Sequence, residues 1–167
     1  MKRLPEWVAY KDVWLVFRSQ DPEAVVQAMV QAGWSPEEVQ VRPWGPFCYG
    51  KAPGLEELLP GEGERLAALS RDFPQVWYYI SHRTASVHGF ALAERGELVR
   101  AYYTADGDIW NSVGRPLEEE RTLGWQLFET TEELLDWPGE WDASHVLDEE
   151  GVMALAALQT GIEEEQG

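Results

Sequence analysis

The sequence predicts an α+β fold, a mainly antiparallel sheet with a central meander and helices packed on one face. Three observations carry that expectation. A short run of β-formers leads directly into a capped helix near the N-terminus, turn residues recur at close spacing from Gln75 to Gly114, and three further helix-start signals follow Arg115.

In chain order, Asp12 to Phe17 is apolar and too brief for a helix, so it reads as a buried strand. Asp21-Pro22-Glu23 supplies an N-cap, a proline at the first helical position and an early acid, and Gly33 supplies a stop, predicting a helix over 22–32. Ser35-Pro36-Glu37-Glu38 resembles a capping box, but Pro43 and the alternation of Val39 and Val41 confine it to one turn before a strand. Three prolines and Gly45, Gly50 and Gly54 make 43–54 a loop with one strand around Phe47-Cys48-Tyr49. A helix near Glu64 to Arg71 follows, presenting Leu66, Ala67 and Leu69 on one side.

The meander comprises strands at Gln75–Ser81, Ser86–Ala93, Glu97–Thr104 and Asp108–Ser112. Glu94-Arg95-Gly96 and Asp106-Gly107 carry hairpin chemistry, which puts His88, Phe90, Arg100 and Tyr102 on one face and Gly89 and Ala101 on the other. Beyond it, Arg115-Pro116 opens a short acidic helix ended by Gly124, and Trp125 to Phe128 reads as a strand. A helix from Thr130 to Trp137 follows, then a terminal helix from Glu149 to Gln159 capped by Asp148. Its apolar stripe is Val152, Leu155 and Leu158.

A chain of 167 residues with 44% apolar content can bury a core as one domain, 1–167, without staples. Cys48 is the only cysteine, so no internal disulfide is available, and no Cys/His cluster calls for a metal or organic cofactor. The first residues lack an apolar signal core and no run reaches spanning length, which predicts a cytoplasmic protein that does not enter a membrane.

The formal charge of −17 is unevenly placed, with 15 acids and a single base, Arg121, from Pro116 to Gly167, so that third carries −14. Such a charge repels phosphate backbones and anionic lipid, which excludes nucleic acid as a natural partner and favours a basic protein. One reading is solubility, with Glu118-Glu119-Glu120 and Glu163-Glu164-Glu165 as solvated ends. The other is a docking face, because acids here are interleaved with some of the nine tryptophans. Trp137 and Trp141, held around Pro138-Gly139 and flanked by Glu132, Asp136, Glu140 and Asp142, are its candidate anchors.

Catalytic patterns are sparse. Ser81-His82-Arg83 with His88 gathers two of the three histidines, but no nucleophile elbow or orienting carboxylate accompanies them, so an enzyme is not the favoured reading. His82, Arg83, His88, Arg100 and Tyr102 could together form a pocket for an anionic ligand, since guanidinium and imidazole bind carboxylate or phosphate by directed hydrogen bonds. In the structural alternative Arg100 pairs with a nearby acid and stacks on Phe90. Asp106, Asp108 and Asn111 lack the glycine and distal glutamate of a calcium loop and read as a turn.

Ser81-His82-Arg83, His88-Gly89-Phe90-Ala91 and Gly96 to Tyr102 resemble a pattern found in a group of bacterial proteins without an assigned activity. Trp14-Leu15-Val16, Asp21 to Val25 and Val152 to Ala156 are similar to the two ends of that group, although Gln159-Thr160-Gly161 replaces its Trp-Ser-x-Asp-Pro ending. The resemblance implies a cytoplasmic α+β protein of bacterial type and transfers no catalytic residue. The functional expectation is therefore a non-enzymatic binding protein that masks a basic partner, in the manner of an immunity protein. A small anionic-ligand binder or hydrolase is the alternative.

Overall fold

Five successive buried residues form strand β1 (Val13–Phe17). Neighbours in a pleated strand point to opposite faces, so both faces of β1 are covered. The computed structural model describes residues 13–55, 64–82, 87–105, 108–123 and 149–160.

Helix α1 (Pro22–Gln31) begins as its sequence dictates. The Asp21 carboxylate accepts from the N–H groups of Glu23 and Ala24 at 3.1 and 3.3 Å, and Val25 and Met29 are buried. Strands β2 (Gln40–Trp44) and β3 (Phe47–Lys51) form an antiparallel hairpin, and β3 pairs antiparallel with β1, setting Leu15 opposite Gly50. A Cβ on Gly50 would lie 3.0 Å from Met29 Sδ, so the missing side chain is what lets α1 settle on the strand.

The expected loop over 43–54 with one strand needs correction here, because β2 runs through Pro43. Among the described strands β2 is the outermost, and there a proline is tolerated because an N–H facing away from the neighbour makes no ladder bond.

Helix α2 (Glu64–Leu69) buries Leu66 and Leu69. The meander follows as β4 (Val76–His82), β5 (Val87–Glu94), β6 (Glu97–Ala105) and β7 (Asp108–Gly114), close to the expected limits. Among the described residues the sheet is seven-stranded and antiparallel, in the order β2-β3-β1-β4-β5-β6-β7, and with the helices it makes an α+β fold.

Arg95 and Gly96, both at positive φ (46° and 92°), form the tight β5–β6 turn. Their N–H groups donate to Phe73 O at 3.2 Å and Ser70 Oγ at 2.9 Å, which ties the turn to the segment after α2. In the β6–β7 pair Arg100 lies opposite Gly114 and Tyr102 opposite Ser112, and the register then steps past Trp110 as a bulge between Tyr103 and Thr104. Asp106-Gly107 and the strand expected at 125–128 lie outside the described residues, as does the helix expected from Thr130.

Two further helices are described, α3 (Glu118–Leu123) and α4 (Glu149–Thr160). The apolar stripe of α4 is corrected: Val152, Leu155 and Ala156 are buried, but Leu158 is 48% exposed. The buried face runs through 152, 156 and 160, with Gln159 turned to β4, and this rotation carries position 158 outward. No helix among the described residues is long and apolar enough to cross a membrane.

Backbone contacts group the chain into two compact units. Of the described residues, one holds 13–55, 64–78 and 91–99, with α1 and α2; the other holds 79–82, 87–90, 100–105, 108–123 and 149–160, with α3 and α4.

Candidate functional site

Among the described residues Arg100 is a charged side chain held wholly inside the protein. It is fully buried at 0% exposure, on the face of β6 shared with Tyr102 and, across the register, Ser112. Its Nε donates to Glu120 Oε1 and Oε2 at 3.2 and 3.0 Å, and its Nη2 donates to Oε1 at 2.8 Å. Nη1 donates to Ser112 Oγ at 2.9 Å and to the carbonyls of Val113 and Gly114 at 3.4 and 3.1 Å. Every nitrogen of the guanidinium thus has a partner, as a buried charge requires.

Glu120 performs two tasks. As the third residue of α3 its Oε2 also accepts from Leu117 N–H at 2.6 Å, the backward half of a capping box. The carboxylate therefore starts the helix and holds it against the sheet. The expectation that 118–120 form a solvated run is corrected at one position, since Glu118 is exposed while Glu120 is fully buried.

Aromatic rings line the same face. Phe90 and Tyr102 stack with centroids 6.3 Å apart, and the Arg100 Cζ sits 5.4 Å from the Tyr102 ring. The guanidinium thus lies over the Tyr102 ring. Burial pushes the Tyr102 phenol well above its ordinary range, Arg100 opposes that rise, and Glu120 adds to it. The opposite face carries Gly89, whose missing Cβ would meet Tyr102 O at 2.9 Å, the Tyr103 ring at 3.2 Å and Ile80 at 3.3 Å.

His88 is half-buried, and its Nδ1 lies 3.1 Å from the Oγ of Ser81. Ser81 itself is fully buried, so the pair ties β5 to β4 and presents no nucleophile to a substrate. Thr104 Oγ1 donates to His88 O at 3.2 Å, and Tyr79 Oη donates to Gln159 Oε1 at 2.6 Å, fastening α4 to β4.

The five residues of the anionic-ligand reading divide accordingly. Arg100 is committed to Glu120, Tyr102 is buried beneath it, and His88 is bonded to Ser81. The side chain of His82 and the whole of Arg83 lie outside the described residues, as do Glu132, Asp136, Trp137, Glu140, Trp141 and Asp142.

Among the described residues no group of three His, Cys, Asp or Glu side chains could hold a metal ion. Cys48 is buried, and burial followed by the charge of Asp21 raises its thiol away from reactivity. Sequence reasoning missed Glu120, whose signal was its third position after the proline-led start of α3.

No family model, curated protein or solved structure matches the chain.

Proposed function

We propose that the chain is a non-enzymatic binding protein that masks a basic protein partner through its acidic last third, as an immunity-type inhibitor does. The observation that carries this reading is the placement of charge: 15 acids against one base after Arg115, interleaved with Trp125, Trp137 and Trp141. Opposite charge accelerates encounter by roughly 10- to 1,000-fold, which suits an inhibitor that must reach its target before the target acts.

The chemistry of the described residues agrees with a binder. Its buried arginine and its serine–histidine pair are spent on internal bonds, and neither faces a substrate. The anionic-ligand alternative is weakened, because an incoming carboxylate would have to displace Glu120 from a fully bonded guanidinium.

The test is retention of a protein from the native host on the immobilised chain at low salt, with the captured protein identified and purified. The reading requires a basic protein that also binds the chain stoichiometrically in purified form. It requires in addition that combined Glu132→Gln, Asp136→Asn, Glu140→Gln and Asp142→Asn substitutions weaken binding. The same charge change at Glu23, Glu37, Glu38 and Glu64 should not, since those exposed acids lie outside the last third.

A further inference from the structure

We infer that the Arg100–Glu120 pair is a positional lock, selecting one placement of α3 on the sheet without adding net stability. Three adjacent glutamates, Glu118, Glu119 and Glu120, begin this six-residue helix, so charge alone offers Arg100 three carboxylates and three rotations of α3. Only the third residue of the helix can cap Leu117 N–H and still reach Arg100, and the fork of Nε and Nη2 on Oε1 and Oε2 accepts a single orientation. A helix this short does not hold its place by propensity.

Removing two charges from water costs about as much as their buried attraction returns, so an apolar pair of similar volume can replace them without loss of stability. What an apolar pair lacks is direction. The lock fixes where the acidic third begins, with Glu118 outward and Glu120 inward. Any bearing on partner binding rests on the function proposed above; the lock itself does not.

The experiment is hydrogen exchange on the full chain with two variants. Glu120→Gln leaves the Arg100 charge buried without its counterion, and exchange at Arg121, Thr122 and Leu123 should accelerate by roughly 100-fold or more. In the double variant Arg100→Met with Glu120→Leu, the melting temperature should stay near that of the parent while those three amides still exchange at least about tenfold faster. The amides of Tyr102 and Thr104 should keep their protection in the double variant.

Parental protection of α3 in the double variant would show that packing alone places the helix and would overturn the inference. A double variant that does not fold would overturn it equally, by making the pair a requirement for stability. Failure of the chain to bind any basic protein would defeat the proposed function and leave these exchange results standing.

Discussion

Arg100 and Glu120, 20 residues apart in sequence, form an ion pair at 2.8 Å in which both side chains are fully buried. In a chain with 30 acids, this acid is held inside while its neighbour Glu118 stays exposed. Breaking such a pair by removing one partner costs about 3–5 kcal/mol, because the other charge stays buried without compensation. The cost follows from isolation, which is why the pair constrains structure more than it contributes to stability.

A substitution at Gly89 tests the sheet packing beside this pair. The added Cβ would stand 2.9 Å from the backbone oxygen of Tyr102, which cannot move without disturbing β6. Gly89→Ala should lower unfolding free energy by about 1–3 kcal/mol in urea titration. A change below about 0.5 kcal/mol would contradict the described approach of β5 to β6.

The β5–β6 turn makes the opposite prediction. Arg95 adopts φ 46°, a left-handed conformation that costs most L-residues about 1–2 kcal/mol and that asparagine accepts more readily. The Arg95 side chain is exposed, so Arg95→Asn should stabilise the protein by about 0.5–1 kcal/mol. The melting temperature should rise by a few degrees, and a fall would contradict the turn geometry.

Alkaline pH tests the burial of Tyr102. Its phenol is raised above the ordinary 10.0, by burial first, against the lowering effect of Arg100 and with a further rise from Glu120. Above pH 10 the unfolded chain releases this proton and the folded chain keeps it, so the unfolded state binds fewer protons and stability falls as pH rises. Urea midpoints should decline steadily from pH about 9 to about 11, with Tyr103, also raised by burial, adding to the slope. Midpoints that do not move across that range would contradict the buried, protonated phenol.

How much of this was legible in the sequence depends on the distance over which each interaction acts. The α1 cap at Asp21-Pro22 and the meander were legible because turn and cap chemistry is local. The shared face of Phe90 and Tyr102 followed from strand alternation alone. The strand through Pro43 was hidden, since proline argues against a strand unless its edge position is known. Leu158 was misplaced because a helix turned toward Tyr79 through Gln159 buries a stripe that its apolar residues only partly mark. Glu120 reads from sequence like its solvated neighbours, because which of three adjacent glutamates turns inward is settled by contacts 20 residues away.

If the acidic last third steers a basic protein partner, as proposed, the association rate of that purified partner carries the signature. Raising salt from about 50 to about 500 mM shortens the Debye length severalfold and should slow association by at least about tenfold while dissociation changes little. Neutralising Glu132, Asp136, Glu140 and Asp142 together should reproduce the slower association, whereas Trp137→Ala or Trp141→Ala should act mainly on dissociation. An association rate that salt leaves unchanged, or that the four neutralised acids leave unchanged, would contradict the claim.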